Sequence, residues 1–170
     1  MAAPMVPILD GDSLKAHGGH ERWDSWFDDA GYVRARKVKW LYNATGAACT
    51  VGLVYRIVYD GDGDVNPSVV ACAAISGVYQ RVAVAIEATP ASSWGYFAVE
   101  GYTEASCNGT TALTKDDFLK IVEGTDTDSF IDNTTTRTNN SHALYSDDTG
   151  QPSSTANRLV YLLGEQAIIT

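Results

Sequence analysis

The sequence predicts an all-β protein, a mainly antiparallel sandwich or barrel, with an extended N-terminal arm and long polar loops. Three observations predict it. Apolar residues recur with period two, as at Tyr55, Ile57 and Tyr59 and again at Val78, Val82, Val84 and Ile86, with Gln80 the polar member of that row. Short apolar runs are split by clusters of Gly, Pro, Asn and Asp. A hairpin stands in the middle of the chain: Val82 to Ile86, a small-residue turn around Thr89 to Ser92, then Trp94-Gly-Tyr-Phe97 closing on Val99-Glu100-Gly101.

Taken in order, residues 1–31 read as an arm and irregular segment, and residues 32–170 as a β-rich domain. Pro4 and Pro7 fix their own φ and push their preceding neighbours out of helix, so the first dozen residues are extended. Met5, Val6, Ile8 and Leu9 give that arm an apolar side suited to lying on a neighbour. His17-Gly18-Gly19-His20 is a poor helix former, whereas Glu21 to Ala30 places Trp23, Trp26 and Phe27 at helical spacing and predicts one or two turns. Strands are expected at Tyr55–Tyr59, Val69–Ile75, Val78–Ile86, Trp94–Thr103, Phe118–Val122, Arg158–Leu163 and Ala167–Thr170. Thr114-Lys-Asp-Asp117 offers an alternative short helix, with Thr as N-cap and acids in the first turn. Residues 123–157, broken only by Phe130 and Ile131 over their first half, read as long polar loop.

A chain of 170 residues buries enough surface for a core without covalent staples. Its net charge of −9 and pI near 4.6 argue against a nucleic-acid surface, which needs a basic excess. Cys49, Cys72 and Cys107 are odd in number, widely spaced and set among small residues, as buried thiols are. No signal peptide or membrane helix is expected: the start lacks a positive region, and no apolar run nears the roughly 20 residues of a span. Asn43, Asn108, Asn133 and Asn139 head Asn-x-Ser/Thr matches that read as chance in an Asn- and Thr-rich chain.

The chemical motifs are weak. Asp60-Gly-Asp-Gly-Asp64 begins like a calcium loop, but Val65 stands where glycine is needed and Ala71 where glutamate is, so a hairpin turn is the better account. His17, His20 and Glu21 have zinc-ligand chemistry without a completing cluster, and no metal or cofactor is expected. No nucleophile elbow, phosphate loop or dinucleotide fingerprint occurs, and no catalytic residue is assigned. The pairs Asp28-Asp29, Asp116-Asp117 and Asp147-Asp148 read as solvated turns. Arg34, Arg36, Lys37 and Lys39 form the densest basic run, either a solvated face or a docking patch for an acidic protein surface. Trp23, Trp26, Trp40 and Trp94 suit core packing, subunit contact or a sugar-stacking platform. The expected packing core of the hairpin is Val82, Val84, Ile86, Trp94, Tyr96 and Val99.

The order of elements over Val82–Ile86, Trp94–Gly101, Gly109–Leu119, His142–Asp147 and Arg158–Leu163 resembles capsid decoration (cement) proteins of tailed bacteriophages. The resemblance covers about half the chain and rests on residue types rather than a chemical signature. It implies a non-enzymatic β-rich protein on the outside of a capsid, made in the host cytoplasm, often trimeric, that bridges major capsid protein subunits. It implies contacts with that protein and with its own copies, and none with nucleic acid or membrane. On that reading Met5, Val6, Ile8 and Leu9 with Arg34, Arg36, Lys37 and Lys39 are the contact candidates. Two other classes stay open: a carbohydrate- or receptor-binding β-module of a phage fibre or head, and a hydrolase using spatially paired acids.

Overall fold

The computed structural model describes residues 19–59, 67–72, 81–108, 113–121, 129–134, 141–148 and 155–164. Among them lie ten strands and no helix: β1 (Glu21–Phe27), β2 (Val33–Asn43), β3 (Val54–Val58), β4 (Ser68–Ala71), β5 (Arg81–Ala85), β6 (Trp94–Cys107), β7 (Phe118–Ile121), β8 (Phe130–Thr134), β9 (Ala143–Tyr145) and β10 (Ala156–Leu163). The arm with Met5, Val6, Ile8 and Leu9, His17, the Asp60–Asp64 run and the last expected strand lie outside the described residues.

The chain is all-β, and its single hydrogen-bonded sheet closes on itself twice. One ring runs β2, β4, β3, β5, β6 and back to β2. The other runs β6, β10, β9, β7, β8 and back to β6. The molecule is thus two five-stranded barrels fused along β6. An odd ring cannot alternate strand direction all the way round, so each must hold a parallel contact. These are Tyr42↔Ser68 with Asn43↔Val69 in the first ring, and Cys107↔Phe130 in the second.

The 14-residue β6 changes partners part-way along. β2 gives way to β8 along one edge, and β5 gives way to β10 along the other. A bulge marks the change: Lys37 pairs with Glu100 and Val38 with Ala98, leaving Val99 over. Gly101, at φ 85°, completes it; a Cβ there would sit 2.6 Å from the Ala35 carbonyl oxygen.

Leu41, Tyr55, Ile57, Val69, Ala83, Ala85, Phe97 and Val99 pack together in the first barrel. Val54, Val84 and Ala98 alternate with these and point the other way. They join Leu113, Leu119, Phe130, Tyr145, Val160 and Leu162 in the second core. The central parts of β3, β5 and β6 are therefore buried on both faces, which is why their sequences are nearly continuous in apolar residues.

Several expectations are corrected. Val84 and Val99 are buried, and Val82 and Ile86 pack against the second core, but Trp94 and Tyr96 are not core residues. They lie half-buried on the outer face of the first barrel, because Gly95 and Phe97 hold the inward positions. Glu21–Phe27 is a strand rather than a helix: period two wins once the β2 backbone supplies its hydrogen bonds. Pairing of β1 with β2 carries the sheet across the expected boundary at residue 31. The Thr114 N–H and hydroxyl both donate to Asp117 Oδ2 at 2.7 Å, closing a turn before β7 instead of starting a helix. β8 and β9 fall within the stretch read as polar loop.

Candidate functional site

The β1–β2 hairpin carries the features most at odds with an inert surface. Its turn is closed by Asp28: Tyr32 N donates to Oδ1 at 2.8 Å, Gly31 N donates to the Asp28 carbonyl, and Gly31 has φ 82°. The register places Arg22, Asp24 and Trp26 on one face of β1, and Glu21, Trp23, Ser25 and Phe27 on the other.

The first face is locked to the barrels. Trp26 Nε1 donates to the Tyr102 carbonyl at 2.9 Å. Arg36 lies over Trp26, Arg34 lies over Tyr32 and Tyr102, and Arg22 caps Tyr96 at 4.3 Å. Beyond it runs an aromatic row on β2 and β6. Trp40 and Tyr96 sit 4.5 Å apart, Trp40 and Trp94 are parallel within 8°, and Tyr42 meets Trp94 edge-on.

The second face is open. Trp23 is 61 % exposed, Phe27 72 % and Val33 65 %, and the register aligns all three with exposed Ala35. Contiguous apolar exposure of this kind is what a protein-docking surface shows. β1 is also a sheet edge, with β2 as its one strand neighbour among the described residues.

The basic run is neutralised within the chain. Arg34 Nε pairs with Asp28 at 2.8 Å, Arg36 with Asp24 at 3.4 Å, Lys37 with Glu21, and Lys39 with Glu21 at 2.9 Å and the Tyr59 hydroxyl at 2.7 Å. Burial pushes the Glu21 carboxyl up, but its hydrogen bonds and attraction to Lys37 and Lys39 outweigh that and hold it below its usual range. Hydrogen bonding to Glu21 raises Lys37; for Lys39, bonds to Tyr59 and Glu21 overcome the opposing effect of burial. These four cations therefore tie the hairpin to the barrel, leaving little charge for a partner.

A cleft of about 410 Å³ opens where the hairpin turn meets β6, β10 and the loop after β9. Asp28, Asp29, Glu104, Asp147 and Asp148 line it with Arg34 and Arg158. Two of the three acid pairs of the sequence, Asp28-Asp29 and Asp147-Asp148, thus converge in space with Glu104, which the β6–β10 register sets opposite Leu159; Asp116-Asp117 does not line the cleft. Burial, reinforced by Asp29, holds the Glu104 carboxyl above its ordinary value. Burial also pushes Asp28 up, but the Arg34 and Tyr32 hydrogen bonds prevail and hold it low. A raised and a lowered carboxyl are the ingredients of acid–base chemistry. Here Asp28 commits both oxygens to Tyr32 and Arg34, Arg158 stands 3.9 Å from Asp147, and Asp148 holds Lys115 at 2.7 Å.

Among the described residues no group of three or more His, Cys, Asp or Glu is placed to hold a metal ion. His20 lies exposed next to β1. Cys49, Cys72 and Cys107 are buried thiols, and burial lifts Cys107 to about 12. Asn43 is a structural residue: its Nδ2 lies within 3.0 Å of the carbonyls of Ala47, Thr89 and Pro90. No helix among the described residues is long and apolar enough to cross a membrane. No family model matches the chain, and no curated protein and no solved structure matches it.

Proposed function

We propose that the chain is a structural, non-catalytic protein that binds the outer surface of a phage capsid and stabilises the expanded shell by bridging major capsid protein subunits. The observation that carries this reading is the open apolar face of the β1–β2 hairpin, Trp23, Phe27 and Val33, on a body with two buried cores. Such a face marks a protein that works by being docked, and the resemblance of the segments from Val82 to Leu163 to decoration proteins supplies the shell as the setting. The mechanism is mass action: a ligand that binds only the expanded shell stabilises that state. An interface of about 1,600 Å² per contact, repeated over many copies, suffices.

Mass spectrometry of gradient-purified particles of the parent virus tests it. The chain is expected at a fixed ratio to the major capsid protein. Presence in infected cells but absence from particles would refute it.

The aromatic row Trp40, Tyr42, Trp94 and Tyr96 favours a second reading, a carbohydrate-binding module. Binding of the isolated protein to a glycan array, lost in Trp40→Ala, would favour that reading over the first.

A further inference from the structure

We infer that the open edge of the hairpin is occupied by a second copy of the chain, joined through antiparallel pairing of β1 with β1 about a two-fold axis. This deepens the reading of a docked structural protein by naming one of its partners. It starts from the direction of the backbone hydrogen bonds. Asp28 N donates to the Tyr32 carbonyl at one end of the hairpin, and Trp40 N donates to the His20 carbonyl at the other. Both pairs lie in the β1–β2 register, so alternation assigns Arg22, Asp24 and Trp26 to the bonds with β2. The N–H and C=O groups of Glu21, Trp23, Ser25 and Phe27 then point away from β2, along an edge with no other strand beside it among the described residues.

An open edge beside exposed aromatic side chains is a template for another strand. Charge selects which strand and which register. With the axis at Trp23, Arg22 falls opposite Asp24 of the other copy, Glu21 opposite Ser25, and Trp23 opposite Trp23. Every outward-facing residue of the overlap then meets an outward-facing residue, and opposite charges face each other in the pairs between. Moving the axis to Asp24 sets two carboxylates against each other. Moving it to Ser25 sets Asp24 against Trp26 and loses the ion pair. In the Trp23 register Phe27 falls opposite Gly19, where no side chain blocks the ring. The apolar faces of both copies become one continuous patch, with Trp23 at its centre, where interface energy concentrates.

Native mass spectrometry and light scattering of the full chain test the inference. A dimer is expected at micromolar concentration. Two substitutions separate pairing from folding. Trp23→Lys places charge at the axis, and Ser25→Pro removes an outward N–H without touching the bonds to β2. Each should raise the dimer dissociation constant about 30-fold or more, with the circular dichroism spectrum and thermal midpoint of the monomer kept. A monomeric wild type would overturn the proposal. So would an oligomer of any size whose stoichiometry both variants leave unchanged. Capsid binding is scored separately: a monomer found on particles sinks the pairing alone, and a dimer absent from particles sinks the shell reading alone.

Discussion

The two barrels share a strand yet are built differently. The first sets the 11-residue β2 beside β3, β4 and β5 of five, four and five residues, with Tyr55 against Phe97 edge-on inside it. The second sets the eight-residue β10 beside β7, β8 and β9 of four, five and three residues, around Phe130, Tyr145 and Leu119. Each ring thus lays one long strand along β6 and completes itself with three short ones. The second closes onto β6 through the single pair Cys107↔Phe130, so it depends more on its core and on the shared strand.

The largest expected effect tests whether the sharing makes one folding unit. Phe97→Ala empties the first core and Phe130→Ala the second, each ring being fully buried. Each should cost about 3–5 kcal/mol. Because β6 serves both rings, and Val54, Val84 and Ala98 on strands of the first ring pack in the second core, both variants should lower one common transition in calorimetry and urea unfolding. Two resolved transitions, with each variant moving only one, would break the comparison and make the barrels separate units.

The first barrel was the more legible in the sequence, and the reason is physical. Its strands carry period-two or continuous apolar signals bounded by turn residues, and the hairpin from Val82 to Gly101 is paired as Val84↔Ala98 and Ala85↔Phe97. β8 is short and polar over its second half, and β9 is only three residues, so neither shows periodicity; pairing with β7 and β10 makes them strands. The strand at β1 is not legible locally, because Trp23, Trp26 and Phe27 fit a helical spacing as well as two faces of a strand. Arg34 to Lys39 was visible as a basic run, but its neutralisation by Asp28, Asp24 and Glu21 depends on the β1–β2 register. The convergence of Glu104 with Asp28 and Asp147 is likewise set by strand pairing, at separations no local motif spans.

Acid should separate the two halves next. His142 precedes β9 in the second barrel, its N–H donating to the Leu119 carbonyl, and burial lowers its imidazole to about 4. A lowered histidine is neutral in the fold and protonated first in the unfolded chain. Its stabilising effect is therefore full above about pH 6.5 and lost as pH falls from there to about 4, on the order of 3 kcal/mol in all. Glu104 acts in the opposite sense, since its raised carboxyl favours the fold when protonated. The His142 contribution is thus read as the difference between wild type and His142→Gln in urea midpoints at pH 7.5 and 4.5. Asp28 and Glu21, held low at the first barrel, lose their contribution only as pH falls below about 4. An acid response unchanged in His142→Gln above pH 4.5 would remove the asymmetry.

The smallest effect distinguishes the inside of the first barrel from its outside. Trp94 and Phe97 lie three residues apart on β6, and the larger ring is the one facing out. Phe97 is fully buried, whereas Trp94 rests half-exposed against Trp40 and Tyr42. Truncating a partly exposed ring forfeits only part of its burial and one or two aromatic contacts. Trp94→Ala should therefore cost about 1–2 kcal/mol, well under the cost of Phe97→Ala. Trp40→Ala should not add fully to it, because each ring is the other's neighbour; the double variant should fall short of the sum by about 0.5 kcal/mol or more. Urea unfolding of the four proteins, wild type, both single variants and the double, measures this. A Trp94→Ala cost equal to that of Phe97→Ala would mean that the row is covered in solution, and the outer face of β2 and β6 would then be an interface in its own right.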